Sequence, residues 1–179
     1  DLNTGKELST KIVNDTISYL DSKGATVFKQ YAGKDGSVYL KRMSDIDNGK
    51  TIGRLLDDGK RLDSTWKADL NEVRYKATQK IRKGLVEYVQ THSLKEVRAN
   101  FPNLTQAQID YIGKYGKVPT SLQIHHCKNV ANYPDYAGDL SNLQVLTLEE
   151  HLKAHGGNYQ NSTNSPFANY IDLVKLFGL

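Results

Sequence analysis

An α+β fold is predicted by three features of the 179-residue chain. Apolar residues recur every three or four positions between Ser64 and Thr91, two β-rich runs flank Gly33–Gly36, and a strand–loop–strand–helix pattern follows Gly116. Together they predict a mostly helical N-terminal part with a β-hairpin over residues 1–118. A strand–strand–helix unit and a C-terminal helix follow over 119–179.

Leu8, Ile12, Thr16 and Leu20 stand four apart, which predicts a helical stripe over Thr4–Leu20 ended by Gly24. Thr26–Tyr31 and Ser37–Lys41, joined by Gly33-Lys34-Asp35-Gly36, predict the hairpin. Asp45–Gly59 is rich in Asp and Gly and reads as loop, with at most a short helix at Ile52–Leu56. Trp66, Leu70, Val73, Ala77, Ile81, Leu85 and Tyr88 then mark one buried face of a long helix, Ser64–Thr91. Ser93–Glu96 is a capping box, and Thr105 can cap a helix over Gln106–Ile112. Gly113, Gly116 and Pro119 break that helix ahead of a strand at Leu122–His125. Gly156–Pro166 reads as loop, followed by an amphipathic helix carrying Phe167, Tyr170, Ile171, Val174 and Leu176.

With 38% hydrophobic residues and a mean hydropathy of −0.59, the chain has a modest core and no apolar run near the ~20 residues that span a bilayer. No membrane partner is expected. The single cysteine, Cys127, excludes an internal disulfide. Asp1–Lys6 shows neither a signal pattern nor an initial Met, so the chain reads as a piece of something longer. The net charge of +4 permits an acidic partner. Its distribution is uneven: from Lys60 to Arg98 ten basic residues face five acidic ones, with Lys76, Lys80 and Lys83 on the long helix. Either this face meets phosphates or it is simply solvated.

Four of the five histidines fall between positions 125 and 155. His125 and His126 end a strand. Asn142 opens the second apolar run, Leu143–Leu146. Thr147–Glu150 is a capping box, and His151 and His155 stand one helical turn apart on the helix it starts. His125, His151 and His155 make a three-imidazole set that leaves coordination positions open, as a catalytic divalent metal requires. His126 points to the other side of the strand and suits general-base work near neutral pH. A second arrangement of the same residues places Cys127 with His151 and His155 around a structural zinc, giving a non-catalytic interaction domain.

Ile124-His125-His126, Asp139–Leu143 and His151–Gly156 resemble the HNH motif of the ββα-metal (His-Me finger) nucleases. The nearest pattern is that of nuclease bacteriocins (colicin DNase type) and the C-terminal toxin modules of Rhs and contact-dependent-inhibition proteins. The likeness covers about residues 119–160. It implies a ββα-metal unit that hydrolyses DNA with one divalent ion of the Mg or Zn/Ni/Mn class. His125, His151 and His155 would be ligands, His126 the base, and Asn142 the residue that pins the loop beside it. It also implies a toxin delivered into a target-cell cytoplasm and neutralised by an immunity protein; a housekeeping restriction or homing endonuclease is the alternative. The chain departs from the family where an Arg and a Glu precede the histidine pair, for Pro119 and Gln123 stand there. The phosphate-binding cation is therefore sought at Lys128, Lys153 or the long helix.

Overall fold

The computed structural model describes residues 9–13, 16–20, 22–23, 26–43, 49–57, 59 and 61–179. The chain is α+β and divides into two compact units. The first spans Asp1–Leu70 with Ala131–Asp135; the second spans Asn71–Val130 with Tyr136–Leu179. The sequence placed its division at residue 118 instead. Among the described residues no helix is long and apolar enough to cross a membrane.

The first unit is an antiparallel meander and not a helical extension. Its strands are β1 (Ser9–Val13), β2 (Thr16–Leu20), β3 (Thr26–Ala32), β4 (Val38–Arg42), β5 (Thr51–Leu56) and β6 (Arg61–Leu62), neighbouring in that order. The helix expected over Thr4–Leu20 is thus two strands, with Leu8 and Gly24 outside the described residues. The physical reason lies in the spacing. A step of four is about one helical turn but also two full strand repeats, so the stripe fits both periods. Thr10, Ile12, Val13, Thr16 and Ile17 are β-branched and tip the choice toward strand.

The hairpin of β3 and β4 forms as expected, with Tyr31 opposite Tyr39 and their rings stacked at 5.3 Å. Asp35 accepts hydrogen bonds from the Ser37 N–H (3.0 Å) and the Tyr39 hydroxyl (2.5 Å), which closes its turn. Ile52–Leu56 is strand where loop or helix was expected, while 44–48 and 58 lie outside the described residues. Gly53 marks close packing there: a Cβ on it would come within 2.6 Å of Leu62 Cδ2. Arg54 then ties β5 to the following turn through Asp63 and Asp69, each at 2.6 Å.

Helix α1 (Trp66–Thr91) is as long as its apolar spacing predicts. Its Ile81 and Leu85 are fully buried against Ile112, Leu122, Leu143 and Leu173 in the core of the second unit. Each such side chain contributes about 1.5–3 kcal/mol of burial. The capping boxes of α2 (Leu94–Asn100), α3 (Gln106–Tyr115) and α4 (Leu148–Ala154) all form. Gly113 does not break α3, which runs on to an αL stop at Gly116.

β7 (Leu122–His126) and β8 (Leu143–Thr147) pair antiparallel, with α4 directly after β8. Leu122 and Ile124 join the core on one face, and His125 lies on the other. The C-terminal helix is shorter than expected: α5 covers only Leu173–Phe177. Phe167 lies outside any helix, where buried Gln144 accepts from its N–H (2.8 Å) and donates to its carbonyl (2.7 Å). Tyr170 donates to the Ser141 carbonyl. These long-range bonds replace the i,i+4 ladder that a helix there would need.

Candidate functional site

Every side chain of the site lies in the second unit. The end of β7 sends His125 toward α4, whose capping box fixes the helix start and places His151 and His155 one turn apart. The three rings lie 5.0–5.2 Å apart between centroids. One nitrogen from each lies within 4.8 Å of the others, so the three could hold a metal ion. Among the described residues this is the only such cluster of His, Cys, Asp or Glu.

Two details test whether these residues fit an ion. His125 is 2% exposed, and its Nε2 is buried with no hydrogen-bond partner. Such an orphaned nitrogen costs about 1–3 kcal/mol unless something ligates it. His155 Nδ1 lies 2.8 Å from the Asn161 carbonyl, which can only accept. Nδ1 therefore carries the proton, and Nε2 keeps the lone pair a metal needs. Asn161 also donates to the His155 carbonyl at 2.8 Å, so the ring and its backbone are held together. Burial, then the neighbouring His151 and His155, hold the His125 pKa down to about 3; burial and then His155 lower that of His151. Both are neutral at physiological pH, the form that ligates.

His126 leaves the opposite side of the strand. Its Nε2 lies 3.1 Å from the Ala137 carbonyl, so Nε2 donates and Nδ1 bears the lone pair. Its pKa is lowered chiefly by burial, with Arg74 acting in the same direction and the Ala137 bond opposing. Asn142 clamps the chain between the two sides. Its Oδ1 accepts from the Lys128 N–H (2.8 Å), and its Nδ2 donates to the carbonyls of Lys128 (3.1 Å) and Tyr136 (3.4 Å). The Asn142 carbonyl accepts from the Cys127 N–H at 2.8 Å. Strand end and loop are therefore fixed by one side chain.

The chain matches no family model, no curated protein and no solved structure.

Geometry alone, then, sorts the residues singled out in the sequence. His125, His151 and His155 converge, and His126 and Asn142 flank them. Cys127 is not part of the cluster: its buried thiol lies 3.5 Å from Gln144 Oε1, and burial pushes its pKa up to about 11. The Cys–His–His zinc arrangement loses its support there. Of the lysines singled out, Lys128 borders the site through its backbone bonds to Asn142. Lys153 is exposed and paired with Glu149 at 2.8 Å, on the side of α4 away from His151 and His155. Lys128 Nζ stands over the Tyr136 ring at 4.2 Å. Lys76 and Lys83 pair with Glu72 and Glu87, and with Lys80 they lie roughly 120–180° around α1 from Arg74.

Arg74 is a cation that the sequence did not single out. It acts electrostatically on His126, and its neighbour Val73 packs so near the loop that a Cβ on Gly138 would come within 2.9 Å of it. In the sequence it was one of ten basic residues, and only the pairing of loop and helix singles it out. Tyr159 was also missed; its ring lies 5.1 Å from His151 and 5.9 Å from His155.

Proposed function

We propose that the chain is a metal-dependent endonuclease that hydrolyses DNA phosphodiester bonds, its β7–β8–α4 segment acting as a ββα-metal unit. One observation carries the reading. The adjacent histidines at the end of β7 are divided between a three-imidazole cluster and an isolated, carbonyl-oriented imidazole, with Asn142 fixing the backbone beside both. A divalent ion held by His125, His151 and His155 would supply Lewis acidity to the phosphodiester oxygens. Three imidazoles favour late first-row ions over Mg²⁺.

His126 does the proton work. With Nε2–H committed to Ala137, Nδ1 takes a proton from the attacking water; hydroxide adds to phosphorus, and the bond to the 3′ oxygen breaks, leaving a 5′-phosphate and a 3′ oxyanion that is protonated by solvent water to the 3′-hydroxyl. Arg74, whose charge acts on His126, would help to balance phosphate charge near this base. Asn142 is a positioning residue that keeps the strand end from shifting.

A plasmid-nicking assay tests the reading. Nicking should appear with Mn²⁺, Zn²⁺, Ni²⁺ or Mg²⁺ and vanish with EDTA; no nicking with any of them would overturn it. The resemblance to nuclease bacteriocins carries the biological setting, a toxin domain restrained by an acidic immunity protein. A small reading frame beside the gene, whose product blocks nicking, tests that setting.

A further inference from the structure

One feature of the second unit plays no part in the site: a groove of about 500 Å³ between the second half of α1 and the segment after α3. Its floor is Val86 and Val118, and Arg82, Lys83, Lys117 and Glu87 stand around it. Lys83 pairs loosely with Glu87, 3.9 Å away. Arg82 and Lys117 have no ion-pair or hydrogen-bond partner among the described residues, so the groove carries uncompensated positive charge.

On α1 the groove residues Arg82, Val86 and Lys83 lie roughly 80–180° around the helix from Arg74. The groove is therefore a surface separate from the site, and its charge is its own, Arg82, Lys83 and Lys117 against Glu87.

We infer that this groove holds the sugar–phosphate backbone of the substrate DNA at a distance from the scissile bond, with Arg82 and Lys117 as its phosphate contacts. The inference rests on the nuclease reading above and deepens it. It places the electrostatic contact on Arg82 and Lys117, which have no partner among the described residues. The contacts go to phosphates and read no base, so the groove adds affinity without sequence preference.

Fluorescence anisotropy on the whole chain in EDTA, with a 20-nucleotide duplex across a salt series, reads the groove without cleavage. Arg82→Gln with Lys117→Gln should weaken binding about tenfold or more and flatten the log–log salt slope by about 1–2. Lys76→Gln with Lys80→Gln should change both less. In cleavage, the Arg82/Lys117 variant should raise KM more than it lowers kcat, and Arg82→Lys should restore most of the loss. Equal affinity and slope for wild type and variant would overturn the groove assignment, as would poly-glutamate binding there more tightly than DNA. The two readings fail separately. Wild-type binding that the variant weakens, without hydrolysis under any metal, keeps the groove and sinks the nuclease; hydrolysis with unchanged variant binding does the reverse.

Discussion

His125 and His126 are neighbours in sequence with the same side chain, yet the two sides of β7 give them opposite surroundings. His125 is enclosed, unbonded at Nε2 and faced by two more imidazoles. His126 has one nitrogen committed to a backbone carbonyl and a cation nearby. A strand's two-residue alternation makes this division, since it turns adjacent side chains to opposite faces without any loop. One element can thus offer two different rings at once, with Asn142 clamping the backbone beside both. The lesson is that residue type says little here; the lone pair left over after the protein's own hydrogen bonds says what each ring can do.

Removing one ring from each side should break the comparison most sharply. His151→Ala takes a ligand from the cluster, so metal affinity should fall by more than about 100-fold and nicking with it. His126→Ala should leave metal affinity and Tm nearly unchanged while activity falls about 10²–10⁴-fold. Its residual activity should also lose the rising limb of the pH–rate curve. Calorimetric metal titration beside the nicking assay decides between them. If His126→Ala loses the metal and His125→Ala keeps it, the two sides have been assigned the wrong way round.

The buried rings also decide what acid does to the metal-free protein. Burial lowers the pKa of His125 to about 3 and lowers those of His126 and His151 from the ordinary ~6.5. Between those limits the unfolded chain binds more protons than the folded one, so stability rises with pH. The contribution is complete above about pH 6.5 and is lost as pH falls toward 3. Urea midpoints in EDTA from pH 7.5 to 4 should fall, and His125→Gln should show a shallower fall than wild type. Equal slopes would mean that the buried cluster is not what titrates.

The second unit was far more legible in the sequence than the first, for reasons that particular residues supply. Ser93, Thr105 and Thr147 each carry a reciprocal partner three positions on, a local signal that needs no tertiary context. His151 and His155 inherit their geometry from such a helix. The first unit offered Leu8, Ile12, Thr16 and Leu20, a spacing that both strand and helix satisfy, and a Gly53 that reads as loop until Leu62 is seen beside it. Within the site the grouping of His125, His151 and His155, with His126 and Asn142 beside it, could be read from local pattern. Arg74, Asn161 and the Ala137 carbonyl could not, because their roles arise from loops that fold back onto helix and strand. Lys153, Lys76 and Lys80 show the converse: charge marks exposure on a helix but not the direction in which that face points.

Asn142 joins the two sides, and its removal should give the smallest effect and the most diagnostic one. Asn142→Ala leaves the Lys128 N–H and carbonyl without their side-chain partner, while the backbone bond from Cys127 to residue 142 survives. The loss should be about 1–3 kcal/mol of stability, or roughly 2–4 °C in Tm per kcal/mol for a chain of this size. His125 sits inside the paired strand, opposite Gln144, and α4 holds the other two ligands, so metal affinity should change little. His126 is the last residue of the strand, and its ring depends on the 137 carbonyl staying in register with the clamped loop. Activity should therefore fall through kcat, with KM and metal affinity kept. Asn142→Asp retains the acceptor for the Lys128 N–H but loses both donors, so its kcat should lie between those of Asn142→Ala and wild type. If Asn142→Ala instead weakens the metal as much as it slows nicking, the clamp supports the ligand side, and the separation of the two faces does not hold.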